Sequence, residues 1–208
     1  GLVGSEMCIR DRLYAIIEAS DEEKGVYRST NFGETWEKRS SYMTTSPQYY
    51  NEIVVDPINS DRIYALNTFT MKSEDGGSTF APLTTQWRHV DDHALWIDPD
   101  NTQHLYIGGD GGIYESWDRG DTWRHLRNLS ITQFYRIQPD YVEPFYNVCG
   151  GTQDNNSLCG PSRTTNIHGI TNSDWKVVLG GDGYEPQFDP TDPNTVSYTH
   201  LTLPTRRF

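Results

Sequence analysis

The stretch from His89 to Trp123, HVDDHALWIDPDNTQHLYIGGDGGIYESWDRGDTW, holds one complete copy of the unit from which this chain is built. It contains an Asp-Pro turn at 98–101, a glycine-rich turn at 108–112 and a hairpin with the sequence SWDRGDTW at 116–123. Short segments with apolar residues lie between these turns. The pattern predicts four antiparallel strands, here called A to D, at 94–97, 104–107, 113–116 and 122–126.

The same unit recurs along the chain. The pattern Ser-x-Asp-x-Gly-x-Thr-aromatic occurs at 29–36, 73–80 and 116–123, and its glycines are 44 and 43 residues apart. An apolar-Asp-Pro motif recurs at Asp56, Asp98 and Asp189. Short strands repeated at this period predict the blades of a β-propeller. We therefore expect an all-β chain of about four four-stranded antiparallel blades, the first without its inner strand, and the first strand of a fifth. The predicted ranges are 13–45, 50–88, 93–130, 132–180 and 184–189.

The recurring hairpin resembles the Asp-box, or BNR repeat, of sialidases, sortilin-type receptors and xyloglucanase-type glycoside hydrolases. Strings such as GGDGGIYES and GGTQDNNS also resemble bacterial BNR proteins grouped with sortilin N-terminal and xyloglucanase propellers. Asn31 and Phe80 depart from the Asp and Trp of the motif. The resemblance implies that the hairpin aspartate accepts backbone N–H bonds inside the turn and is structural. We call these segments the repeat hairpins.

The two ends do not fit the repeat. Residues 1–12 and 197–208 resemble translated sequencing-adapter read-through, and the Asp-to-Tyr spacing of eight residues seen at Asp56 and Asp98 fails at both junctions. We therefore predict that 1–12 and 197–208 are artefacts and that 13–196 is part of a BNR-type propeller. The chain is expected to be a fragment whose partners include the remaining blades of a longer protein.

Composition narrows the range of partners. The chain has 29 acidic and 17 basic residues and a formal net charge of −12. Such a surface has no basic face for a phosphate backbone, so we expect no nucleic-acid partner. No run approaches 18 apolar residues, so no membrane-spanning helix is expected. The resemblance implies a polysaccharide or peptide ligand, and we expect no cofactor.

Strand direction places the chemistry-bearing loops on one side of each blade. A–B turns and repeat hairpins share one face, which we call the hairpin face. B–C loops and the D–A connections between blades share the other, which we call the connection face. The connection face collects the polar candidates, and adjacent Asp91 and Asp92 would point opposite ways in an extended strand. The candidate catalytic residues are Asp92, Asp110, Asp154 and Asp182; the candidate substrate-binding residues are Tyr50, His89, Asp91, His93, Tyr135, Gln153, Asn155 and Tyr184.

Three functions fit these residues. The resemblance to xyloglucanase-type enzymes implies glycan hydrolysis by an inverting pair of carboxyls, about 6.5–9.5 Å apart, although no family motif matches a pair here. A non-catalytic, sortilin-like propeller would use the same loops to bind peptide or glycan. The spacing of His89, Asp91 and His93 would also suit a metal on one face of a strand, but such triplets are common without one, and we predict none.

Cys149 and Cys159 bracket the loop that carries Gln153, Asp154 and Asn155. A disulfide between them would hold that loop in place; two free thiols are the alternative. A bridge would indicate an oxidising compartment. We therefore expect a periplasmic or extracellular protein.

Overall fold

The computed structural model describes residues 12–129, 131–189, 191–192, 195–199 and 205–207. Over these residues the chain forms eighteen short strands and one turn of 3-10 helix, Asn172–Asp174. No helix among the described residues has the length and apolar character needed to cross a bilayer. The chain divides into two compact units, Gly1–Leu129 and Ser130–Phe208.

The first unit holds three antiparallel sheets, and in each one the strands that are neighbours in sequence are hydrogen-bonded neighbours. The first sheet is β1 (Leu13–Ile17), β2 (Gly25–Ser29) and β3 (Glu37–Ser40). The second is β4 (Ile53–Val55), β5 (Ile63–Ala65), β6 (Met71–Ser73) and β7 (Ala81–Pro82). The third is β8 (Asp92–Ile97), β9 (Leu105–Gly109), β10 (Gly112–Ser116) and β11 (Arg124–His125). These are propeller blades, and the predicted fold class is confirmed.

Apolar side chains join neighbouring blades of this unit. Tyr14 of the first blade is buried with Ile53 and Ile63 of the second. Tyr64 of the second blade is buried with Leu105 and other residues of the third. Each blade thus covers one apolar face of the next, which explains why strands as short as two residues are stable here.

The repeat hairpins are held by their third residue. The Asp75 carboxylate accepts hydrogen bonds from the backbone N–H groups of Ser78 and Thr79, at 3.0 and 2.9 Å, and from the Thr79 hydroxyl at 2.7 Å. Asn31 accepts the equivalent bond from the Thr35 N–H at 3.0 Å. Partial desolvation of the carboxylate acts in the opposite direction, but these bonds lower the pKa of Asp75 to about 2. The aspartate therefore builds the turn.

The hairpins also contact the A–B turns of their own blades. Gly76 N–H donates to the Asp61 carbonyl at 2.8 Å, and Arg119 N–H donates to the Gln103 carbonyl at 3.0 Å. In the second and third blades, hairpin and A–B turn therefore share the hairpin face, as the strand directions predict.

The second unit holds two sheets. One is β12 (Arg136–Pro139), β13 (Asn147–Gly151), β14 (Ser157–Pro161) and β15 (Lys176–Leu179). The other is β16 (Glu185–Phe188), β17 (Thr195–Thr199) and β18 (Thr205–Arg207). Cys149 lies directly opposite Cys159 in the β13–β14 ladder, and a disulfide joins them with their Cα atoms 4.1 Å apart.

The proposed artefact ends fall mostly outside this description. Of residues 1–12 only Arg12 is described, and Cys8 lies outside the described residues. Part of 197–208 contributes to β17 and β18, next to the predicted first strand of a fifth blade. The adapter origin of both ends stays a prediction.

Candidate functional site

On the connection face of the first unit, two loops meet at Asp91 and Asp110. Asp91 lies in the connection that leads to β8, and its N–H donates to the Thr68 carbonyl at 2.9 Å. Asp110 follows β9, and its N–H donates to the Asp91 carbonyl at 3.2 Å. Gly109 permits this approach, because a Cβ there would lie 2.1 Å from the Asp91 carbonyl oxygen. A D–A connection and a B–C loop are thus joined, as expected for one face.

The side chains at this junction form a continuous chain of contacts. Tyr50 donates its hydroxyl to Asp91 Oδ1 at 2.7 Å, and its ring stacks on His93 with centroids 5.1 Å apart. His93 Nε2 lies 3.2 Å from Asp110 Oδ1. Carboxylate oxygens of Asp91 and Asp110 approach within 4.8 Å of each other. Tyr50, Asp91, His93 and Asp110 form what we call the tyrosine–aspartate cluster.

Tyr50 remains a hydrogen-bond donor in this cluster at ordinary pH. Burial raises its pKa, and the hydrogen bond to the Asp91 carboxylate raises it further because a phenolate there would face a negative charge. One oxygen of Asp91 is therefore held by the tyrosine. The arrangement can present fixed acceptors to a ligand.

Asp92 has a different environment from its neighbour. It is 2% exposed, contacts Arg88, and accepts a hydrogen bond from the Thr70 hydroxyl at 2.7 Å. Burial raises the pKa of Asp92 while the Arg88 guanidinium opposes the rise. The Arg88 guanidinium also lies 5.2 Å from the Trp123 ring centroid. These contacts tie the connection to its blade and keep Asp92 away from any ligand in solvent.

His89 makes local contacts. Its N–H donates to the Tyr114 hydroxyl at 3.1 Å, and its Nδ1 lies 2.7 Å from the Val90 carbonyl oxygen. Asp91 and His93, the other two residues considered for a metal, contact Tyr50 and Asp110 respectively. Their carboxylate and imidazole groups are of the kind that bind metals. The sequence prediction of no metal stays a prediction.

The candidates of the second unit contact one another. Asp154 N–H donates to Asp182 Oδ1 at 2.8 Å. Tyr135 contacts Gln153 through its hydroxyl, and its ring lies 5.5 Å from that of Tyr184. Gly151 lies against Tyr184, since a Cβ there would be 2.6 Å from its backbone nitrogen. The Asn155 side-chain amide also donates to the Gln153 carbonyl at 3.0 Å. The residues that the sequence placed on the connection face of the second unit therefore lie close to one another.

Three features of the first unit's connection face were missed or only partly recognised. Trp87 is 85% exposed and has a positive φ of 63°, which is rare for a bulky residue. Phe69 is exposed directly after Thr68, and Tyr49 is exposed with its ring 6.4 Å from Tyr50. Tyr49 could have been found from the sequence because it is next to the candidate Tyr50. Trp87 could have been found because it lies two residues before the candidate His89. No neighbouring candidate residue points to Phe69.

No family model matches the chain, and no curated protein matches it. Among solved structures, the GH74 enzyme of Niastella koreensis is 16% identical with a TM-score of 0.44, covering 90% of this chain and 32% of that one. The GH74 xyloglucanase of Xanthomonas campestris is 16% identical with a TM-score of 0.42, covering 90% and 33%. YCF48 bound to D1 peptide is 12% identical with a TM-score of 0.43, covering 91% and 72%. The chain spans about a third of the length of these hydrolases.

Proposed function

We propose that this chain is part of a glycan-acting propeller protein of the BNR or Asp-box kind. The observation that carries the proposal is the pair Asp91 and Asp110, whose carboxylate oxygens approach within 4.8 Å on the connection face. Two carboxyls beside each other on an accessible surface are what glycoside hydrolysis needs. Asp92 is left out of the pair because it is buried against Arg88.

The separation of the pair bears on the mechanism. Retaining enzymes hold their carboxyls about 5–5.5 Å apart, and inverting enzymes about 6.5–9.5 Å. The closest carboxylate oxygens of Asp91 and Asp110 lie within 4.8 Å of each other, which is below both ranges and nearer to the retaining one. We therefore propose a retaining mechanism in place of the inverting one expected from the resemblance. Asp91, with one oxygen held by Tyr50, attacks the anomeric carbon with the other. Asp110, beside His93, protonates the leaving oxygen and then takes a proton from the water that hydrolyses the glycosyl ester.

Exposed aromatic rings support a sugar ligand. Three exposed rings lie in loops that reach Asp91. Tyr49 precedes Tyr50, which donates to Asp91, and Phe69 follows Thr68, whose carbonyl accepts the Asp91 N–H. Trp87 lies in the same D–A connection as Asp91. Flat rings bury the apolar faces of sugars, while carboxylates accept bonds from sugar hydroxyls. Asp154 and Asp182, with Tyr135, Gln153, Asn155 and Tyr184, are proposed as a second set of ligand contacts in the second unit.

A hydrolysis assay on a panel of neutral polysaccharides tests this proposal. We expect new reducing ends whose anomeric configuration, read by proton NMR, is that of the substrate. Asp91→Asn and Asp110→Asn should each lower the rate by about 10²-fold or more. Asp100→Asn, an exposed aspartate in the β8–β9 turn, is the matched control and should keep full activity. Full activity in both site variants would contradict the assignment, and an inverted product would contradict the mechanism.

A second candidate is non-catalytic binding of glycan or peptide, as in sortilin-like propellers. It is favoured by the contacts of Tyr50 with Asp91 and of His93 with Asp110, which hold both carboxylates as fixed acceptors. Calorimetry would then record ligand binding without turnover. The same two asparagine variants should abolish that binding, and the Asp100→Asn control should retain it.

The compartment and the larger assembly belong to the same proposal. The Cys149–Cys159 disulfide supports an oxidising location, periplasmic or extracellular. Carboxylate chemistry of this kind needs no cofactor. Further blades of a longer chain would complete the propeller.

A further inference from the structure

The hairpin face of the first blade in the second unit differs from that of the first unit. In the first unit, the second and third blades carry Asp-Pro turns there, and all three blades carry repeat hairpins. Instead, the β12–β13 turn and the β14–β15 loop of this blade expose large apolar side chains. We call them the apolar loop surface: Tyr141, Val142, Phe145, Tyr146, Ile167 and Ile170.

The two loops form one surface with a fixed conformation. Ser162 N–H donates to the Tyr146 carbonyl at 2.9 Å, and the Arg163 guanidinium lies 5.9 Å from the Phe145 ring centroid. The buried Asp140 carboxylate accepts the N–H groups of Val142 and Asn147, both at 3.0 Å. A surface held this way loses little conformational freedom when a partner covers it.

Ile167 and Tyr141 expose apolar side chains to solvent at positions where the fold does not require an apolar residue. Asn166 accepts the His168 N–H through its side chain at 3.0 Å and the Gly169 N–H through its carbonyl at 2.9 Å. That tight turn leaves Ile167 93% exposed. Tyr141 has a positive φ of 60° and is 74% exposed. Strained backbone that displays an apolar side chain to water indicates a contact made in an assembly.

The charge of the apolar loop surface favours a second copy of this chain as the partner. The whole chain carries −12, but 141–146 and 162–171 together contain one acidic residue, Glu143, and one basic residue, Arg163. A neutral patch on an acidic protein is where two copies approach without net repulsion. In a two-fold interface each residue pair occurs twice, so Glu143 of one copy can face Arg163 of the other at both ends.

We propose that the apolar loop surface binds a second copy of this chain in a two-fold symmetric dimer. Tyr, Phe and Arg are enriched at the buried centre of such interfaces. Aliphatic Val142, Ile167 and Ile170 suit a protein partner better than a sugar. The dimer is independent of the tyrosine–aspartate cluster.

Sedimentation velocity over a range of concentrations tests the dimer. The wild-type chain should sediment as a dimer that dissociates on dilution. Phe145→Asp and Ile167→Asp should each weaken the dimer by about tenfold or more, since each buries a charge in the interface. Phe32→Asp, an exposed apolar residue of the first repeat hairpin, is the matched control and should leave the dimer unchanged.

Charge reversal tests the two-fold arrangement itself. Glu143→Arg and Arg163→Glu should each weaken the dimer by placing like charges opposite each other, and the double variant should restore it. Circular dichroism establishes that every variant is folded. A wild-type chain that stays monomeric up to about 100 μM, where a weak interface would already associate, overturns the proposal. So does a dimer insensitive to the Phe145 and Ile167 variants, or a double reversal that fails to restore it. The Asp91→Asn variant should dimerise normally. A failure of the glycan proposal would therefore leave the dimer proposal standing.

Discussion

The second repeat hairpin allows a stability prediction with a control built into the chain. Asp75→Ala removes the carboxylate that accepts bonds from the Ser78 and Thr79 backbone and from the Thr79 hydroxyl. Asp75→Asn should be much milder, because Asn31 already holds the first hairpin by accepting the Thr35 N–H and donating to the Thr35 hydroxyl. Loss of a side-chain cap of this kind costs about 1–2 kcal/mol.

The pH dependence separates the charge from the hydrogen bonds. The pKa of Asp75 falls from an ordinary 3.8 to about 2. At full strength this difference corresponds to about 2.4 kcal/mol, and the exposed position reduces it to about 1 kcal/mol. Because the folded-state pKa is the lower one, this contribution is present above pH 3.8 and is lost as the pH falls towards 2.

Urea unfolding followed by tryptophan fluorescence measures both effects. Five of the six tryptophans precede residue 130, so the signal reports mainly on the first unit, which contains this hairpin. Asp75→Ala should lower the free energy of unfolding by about 1–2 kcal/mol at pH 7. Asp75→Asn should lose less, and should flatten the acid limb of the stability profile. Equal losses in the two variants, or an acid limb unchanged in Asp75→Asn, would refute the reasoning.

Three further predictions concern buried contacts. Asp92→Leu should cost about 3–5 kcal/mol because it leaves the buried Arg88 guanidinium without its carboxylate. The double variant Arg88→Met with Asp92→Leu should lose less than the sum of the two single changes, and equilibrium unfolding of the four proteins gives the coupling. Glu115 is buried; the hydrogen bonds from Tyr106, His104 and Arg124 outweigh that burial and lower its pKa to about 2, so its contribution is lost as the pH falls from 4.5 towards 2, and a urea series should show Glu115→Gln without that loss. Reduction of Cys149–Cys159, which closes a loop with a sequence separation of 10, should destabilise the second unit by about 2–3 kcal/mol. Amide hydrogen exchange of β13 and β14 with and without dithiothreitol measures the loss, and unchanged protection in the double variant Cys149→Ser with Cys159→Ser would contradict it.

The blades were predictable because their signals are local and repeated. A turn at Asp98-Pro99, a glycine turn before Ile113 and a hairpin ending at Trp123 each act over a few residues, so their spacing gives the strand order. The strands β8 to β11 lie within about two residues of the predicted ones. The grouping of loops by face followed from strand direction alone.

The side-chain environments at Asp91 and Asp92 could not be predicted in the same way. Sequence reasoning treated the two as alternating positions of an extended strand. Asp91 instead has a positive φ of 66°, and the ladder is irregular between Asp92 and Ala94. Asp92 is buried against Arg88 and Thr70, and the Trp123 ring lies over Arg88 in turn; these three residues come from separate segments. Such long-range partners leave no short motif.

The close approach of another backbone segment to Gly109 and to Gly151 predicts how substitutions there would behave in a mutagenesis screen. Each glycine lies where a backbone crosses within the reach of a missing Cβ, so any larger residue displaces the loop that carries the candidate ligands. A random screen for loss of binding would return both positions beside the aspartates. They should be told apart by yield: alanine at either glycine would lower the amount of soluble protein, whereas asparagine at Asp91 would leave a normal amount of inactive protein.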